Sequence, residues 1–311
     1  FRREDGSTRI LSIWDQTIQA GEPPTGFAYG TEYRRADIDR ALASAEPETV
    51  VPSVDTNGHG TKMASAAAGS LLNQGLTFRG AAPLSDIAVV KLKGAKPYLR
   101  DYYLIDDQAE AFEENDIMEA VKYLQQMAVA FSRPVVIVIG LGTNMGSHDG
   151  TSALDSYLNI VAGRRSLAVV VGCGNEGDKE HHYENFMPSN VEIRVAGPMK
   201  GFCAEIWGSI PDVYAVSIRS PGGEVSPVID FRNGTDRRIS FIFERTRIQV
   251  GVVLVDKDVG DPLIFLRFQD PTPGIWTVTL TASVRKPSGD GQYHMWLPIE
   301  AFLEDSVTFL Q

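Results

Sequence analysis

The chain has 311 residues, 43% hydrophobic and 22% charged, with a formal net charge of -11 and an isoelectric point near 5.0. That length can bury one large or two moderate cores, and the acidic balance without a Lys/Arg run excludes nucleic acid or an anionic membrane surface as the main partner. The longest apolar runs, Val135–Ile139 and Leu167–Val171, are strand-length and far short of the roughly 20 residues that span a bilayer.

Taken in order, Ile10 to Trp14 reads as a buried strand with Asp15 at its C-terminal end, where functional residues of open α/β sheets gather. Gly21 to Val54 is rich in Pro, Gly and charge and reads as a surface excursion with a short helix over Arg35 to Ala43. In Asn57-Gly58-His59-Gly60-Thr61 the flanking glycines allow a sharp turn around the imidazole. Thr61 is then expected to cap an Ala-rich helix that ends at Gly69. Alone, this is equally the pattern of a loop histidine beside a packed helix.

Ile87 to Leu92 is the next strand, and Lys96 to Glu114 reads as a solvated connection. Asp116 to Met127 has helical spacing at Ile117, Ala120, Val121, Leu124 and Met127. Strands at Val135–Ile139 and Leu167–Val171 bracket a helix over Ala153 to Gly163. Alternating strands and helices predict an α/β fold, a parallel sheet flanked by helices. From about Val191 the texture changes to turn-separated strands, and Pro271-Thr272-Pro273-Gly274-Ile275-Trp276 reads as a tight turn feeding one of them. A β-sandwich or jelly roll is expected there. The division is 1–188 for an α/β portion, 189–300 for an all-β portion and 301–311 for the stretch beyond it.

Gly140-Leu141-Gly142-Thr143-Asn144-Met145-Gly146 follows a strand, but its third glycine is one position late for a dinucleotide fingerprint and no helix follows at once. A better constellation is Asp15, His59 and Gly174-Asn175-Glu176-Gly177. A carboxylate to orient an imidazole, an imidazole to take a nucleophile's proton and an amide to meet an oxyanion are what acyl transfer to water requires.

Ile13-Trp14-Asp15, Gly58-His59-Gly60-Thr61 with Ala64 and Gly69, Gly80-Ala81-Ala82-Pro83, and Gly174-Asn175-Glu176-Gly177 resemble successive motifs of the subtilisin-like serine peptidases. Trp14-Asp15-Gln16-Thr17, Gly30-Thr31-Glu32-Tyr33, Gly142-Thr143-Asn144, Gly146-Ser147-His148-Asp149-Gly150 and Pro271 to Trp276 extend the resemblance, over nearly the whole chain, to the clostridial Csp proteases. The resemblance makes 1–188 the N-terminal portion of a subtilisin-like domain, 189–300 an inserted jelly roll and 301–311 the start of the return to that domain. It makes Asp15 the orienting acid, His59 the general base and acid, and Asn175 the oxyanion donor. Gly140, Leu141 and Gly142 would pair with extended substrate, and Gly172 and Gly174 would wall the specificity pocket. Csp proteins process a spore cortex hydrolase during germination or are inactive relatives that regulate it. The implied partner is therefore a protein or peptide substrate such as a zymogen, alongside the protein's own prodomain or C-terminal segment. The implied location is bacterial spore-associated or extracellular. No cofactor is implied, and no cluster in the sequence marks a structural calcium ion; His181-His182 with Glu184 reads as a solvated loop.

The family's Gly-Thr-Ser-x-Ala nucleophile motif does not occur after Asn175. Gly150-Thr151-Ser152-Ala153 precedes it, so Ser152 is read as a helix cap. Gly234-Thr235 is followed by Asp236. The serine then lies on a segment outside this chain, the expectation favoured by a β domain that reads as complete, or the protein is a binding or regulatory relative without it. A ligand of the β domain's own, a carbohydrate or calcium, is a third reading. Cys173 and Cys203 are too few for a disulfide framework, and their spacing leaves their pairing open.

Overall fold

The computed structural model describes the chain except for residues 71–77, 234–235, 257–259, 285 and 311. The Gly234-Thr235 pair lies outside the described residues. The α/β half runs β1 (Ile10–Asp15), β2 (Thr31–Arg34), α1 (Arg35–Ala43), α2 (Pro47–Val50), α3 (His59–Ala68), β3 (Ile87–Lys91), α4 (Pro97–Tyr103), α5 (Glu114–Ala130), β4 (Val135–Ile139), α6 (Ala153–Ala162) and β5 (Leu167–Val171). Strands β6 (His182–Phe186), β7 (Ser189–Val195), β8 (Gly201–Gly208), β9 (Val213–Arg219), β10 (Asp236–Phe241), β11 (Thr246–Val253), β12 (Leu263–Gln269), β13 (Gly274–Val284), β14 (Gln292–Trp296) and β15 (Val307–Leu310) follow. Two compact units result: Phe1–Gly94, Phe112–Gly140 and Val161–Val171 form one, and Ala95–Ala111, Leu141–Ile160 and Gly172–Gln311 the other.

In the first unit β1 is central, parallel to β3 and antiparallel to β2. β4 and β5 form a separate parallel ladder. The single parallel sheet expected from the sequence is therefore not what the described residues form. A strand has two edges, and those of β1 are taken by β3 and by β2, which lies in the stretch read as a surface excursion. Trp14 sets this arrangement. Fully buried, it packs on Phe27, Tyr29 and Tyr123 at centroid distances of 4.6, 5.4 and 5.3 Å, and its indole N–H donates to the Tyr29 carbonyl. Gly30 turns the chain at φ +79° so close to Trp14 that a Cβ would lie 2.3 Å from Nε1.

The second unit holds two antiparallel sheets, ordered β10-β11-β12-β8-β14-β6 and β15-β7-β13-β9. Alternate residues of both, among them Phe202, Leu266 and Phe268 from one and Val191, Trp276 and Leu280 from the other, share one core. The β-rich region starts at His182, which is in a strand rather than a solvated loop. In the last described stretch β15 pairs with β7 and buries Val307 and Phe309 in the same core. Nor is Lys96 to Glu114 merely solvated. Tyr102 of α4 stacks on Phe265 at 5.5 Å, and the Arg267 guanidinium donates to the carbonyls of Asp101 and Tyr102.

Candidate functional site

Asp15 ends β1 with no exposed surface. One carboxylate oxygen accepts hydrogen bonds from the Thr17 amide (2.8 Å) and hydroxyl (2.5 Å), the other accepts from Ser53 Oγ (2.6 Å), and the Lys91 ammonium lies 3.6 Å away. Burial pushes its pKa up, but the hydrogen bonds from Ser53 and Thr17 and the Lys91 charge outweigh it and hold the pKa below the ordinary 3.8. The group is a carboxylate at neutral pH. Gln16 beside it ties three elements together, donating to the Asp116 carbonyl and accepting from the Lys93 amide.

His59 is the first residue of α3. The cap is not Thr61 but Asp55, whose carboxylate accepts from the amides of Gly58 and Thr61 and from the Thr61 hydroxyl, while Asn57 Oδ1 accepts from the His59 amide. A carboxylate at this end also suits the helix dipole. Gly58 adopts φ +79°, which lets the chain turn into the helix. The imidazole is exposed, and its Nε2 lies 2.9 Å from the Gly140 carbonyl. A carbonyl only accepts, so Nε2 carries the proton in this arrangement. Among the described residues no hydrogen bond joins His59 to Asp15.

Gly140 thus meets His59 within the first unit. In the second unit Gly142 lies beside Gly174: a Cβ on the former would be 3.7 Å from the Cα of the latter. Gly172, Cys173, Gly174 and Asn175 are all exposed, and Gly174 takes φ +82°. Asn175 makes no hydrogen bond to the described residues. Its neighbour Glu176 anchors the turn, accepting from His181 Nδ1 (2.9 Å) and the Glu300 amide (3.0 Å). Both cysteines are free thiols. Ser152 Oγ accepts from the Asp155 amide at the start of α6, the cap role read from the sequence.

Sequence reasoning missed Ser53, the partner of Asp15, and Asp55, which holds Gly58 and Thr61 on either side of His59. Asp55 lies six positions before Thr61, outside the three-residue spacing of a capping box, so no local pattern marks it, and nothing local ties Ser53 to Asp15. It also missed the anchoring of the segment after β4. There the Gly146 amide donates to Glu205 (2.7 Å), a buried carboxylate that also accepts from Trp207 Nε1. Burial raises the pKa of Glu205, against those two hydrogen bonds. No group of three or more His, Cys, Asp or Glu among the described residues could hold a metal ion, and no helix is long and apolar enough to cross a membrane.

No family model and no curated protein sequence matches the chain. Comparison of the fold does find a likeness, and it is to a protease. The chain superposes on the structure of the Clostridium perfringens CspB protease with a TM-score of 0.82 and 25% identity, over 100% of this chain and 60% of that one. This supports a Csp-like relationship, and the chain spans less than two thirds of its neighbour's length.

Proposed function

We propose that this chain is the larger part of a subtilisin-type serine endopeptidase that processes a protein substrate such as a zymogen. The observation that carries the reading is the likeness to a protease over 100% of this chain and 60% of that one, joined to an ionised carboxylate at the end of β1 and an exposed imidazole at the start of α3. In this reading Asp15 orients His59, His59 takes the proton of a serine that lies outside these 311 residues, and Asn175 donates to the oxyanion. Gly140, Leu141 and Gly142, just past the end of β4, pair with extended substrate, with Gly172 and Gly174 beside the first side chain.

The imidazole must first change state. A general base needs Nδ1–H toward the carboxylate and a free Nε2 lone pair, the opposite of the tautomer held by the Gly140 carbonyl. A substrate strand hydrogen-bonding to that same carbonyl would displace His59, and rotation toward Asp15 would replace the Ser53 hydrogen bond. The exposed apolar face of the β4–β5 ladder, Val136, Val138 and Val170, offers a surface for the part that carries the serine.

The second reading, a relative that keeps the fold for binding or regulation, is favoured by that same parked histidine. Hydrolysis of a peptide library by the intact protein separates the two. His59→Ala lowers kcat/KM by at least about 10³-fold in an enzyme and leaves a binder's regulatory activity intact.

A further inference from the structure

Trp296, on β14, stands between two imidazoles. His148 stacks on it at 3.7 Å and 14°, and His182 of β6 at 3.9 Å and 20°. Rings at those distances and tilts cannot share one face of an indole, so the tryptophan is sandwiched. His294 extends the column, its Nδ1 lying 3.0 Å from His182 Nε2. His148 belongs to the segment that follows β4. The same segment is tied down at the Gly146 amide by the buried Glu205 carboxylate, which sits opposite Trp296 in the sheet register. Two donors in this region, Trp296 Nε1 and the amide nitrogen of the buried Asn144, have no acceptor among the described residues. The attachment is thus built from a few specific contacts and carries a cost, as a fastening that can be released would.

We infer that His148 and Trp296 are positioning residues, fastening the segment from Leu141 to Gly150 onto the β sheet through a proton-sensitive stack and so holding Leu141 and Gly142 in place for an extended peptide. The inference rests on the reading of Leu141 and Gly142 as substrate-binding residues. Its proton dependence has two sources. The His182–His294 hydrogen bond needs one neutral ring as acceptor, and a second proton turns that acceptor into a donor and sets two cations 3.0 Å apart. Partial desolvation of the stacked rings also pushes the pKa values of His148 and His182 below the ordinary 6.5. The stacked state therefore favours neutral rings: its contribution is complete above about 6.5 and is lost as pH falls below it. The charged groups around the column are Asp155 toward His148, Glu184 toward His182, and Asp256 toward Glu205, with Asp149 in the fastened segment and Asp261 beside it. These carboxylates, the Gly146 carbonyl that accepts from His148 Nδ1 and the attraction of an imidazolium for the indole face oppose the release, and the partial desolvation of the rings outweighs them in the balance for His148 and His182.

The test is the tryptophan emission of the intact protein between about pH 8 and about pH 5, taken as the difference from Trp296→Phe, since protonated imidazole against indole changes its emission. The Trp296 component should show a transition centred below pH 6.5, the ordinary histidine value, and His148→Gln, an exposed substitution that leaves the core alone, should shift or halve it. A flat profile, or one unmoved by His148→Gln, overturns the fastening. In peptide hydrolysis both variants should raise KM by about tenfold with kcat within about twofold; a fall in kcat at constant KM overturns the positioning role. If the wild-type protein hydrolyses nothing, the peptidase reading and the positioning role fall together, and the emission profile alone decides whether the fastening exists.

Discussion

Asp15 is fully buried yet charged, and three donors with a nearby ammonium explain how. Because its pKa lies below 3.8 in the folded protein, the stability it contributes is complete above that value and is lost as pH falls through the lowered one. Asp15→Asn should therefore flatten the acid limb of a thermal-stability profile and cost about 1–3 kcal/mol at neutral pH. At Gly140 an added Cβ would stand 3.0 Å from Met63 Cε and 3.3 Å from His59 Nε2. Gly140→Ala should dislodge the imidazole, and the loss of the Nε2–H tautomer in the histidine nitrogen spectrum would show it. Asp15 and His59 were legible as residues because each sits at the end of an element with a strong local signature. Ser53 was not, since a hydroxyl reaching a carboxylate 38 positions away leaves no mark on local sequence.

At the level of elements, apolar runs located β1, β3, β4 and β5 almost to the residue, and α1 as well. Pairing was less legible. The sequence of β2 shows Thr-Glu-Tyr-Arg without the apolar alternation that announces a sheet partner, so the antiparallel edge it gives β1 comes from tertiary contacts around Trp14 and Tyr123. Tyr123 Oη, within hydrogen-bonding distance of Ser12 (2.7 Å) and Glu32 (2.9 Å), links both strands to α5. Likewise α4 looked solvated because its stretch is acidic and aromatic, and only the sheet surface formed by Phe265 and Arg267 explains the aromatics. Removing the Asp55 cap from α3 should cost about 1 kcal/mol. Asp55→Ala measured against Asp55→Asn by chemical denaturation separates the cap from the charge.

On the scale of the molecule, the β-rich unit owns the continuous core, and Trp276 is its anchor: no exposed surface, an indole N–H donated to the Thr272 carbonyl, and Phe241 and Phe268 packed edge-on at 5.2 and 5.6 Å. The Pro-Thr-Pro-Gly-Ile-Trp motif is explained by this, with Gly274 at φ +137° running against Pro221. Trp276→Ala should cost about 3–5 kcal/mol in urea unfolding. The parallel ladder of the other unit is different in kind, leaving Val136, Val138 and Val170 between 44% and 63% exposed, whereas such strands are ordinarily covered on both faces. If Asp15 and His59 activate a serine outside these residues, fluorophosphonate labelling of the intact, folded protein followed by peptide mapping will find it. A single labelled serine beyond Gln311, lost in His59→Ala, is the predicted result; no label, or a label indifferent to His59, would contradict it.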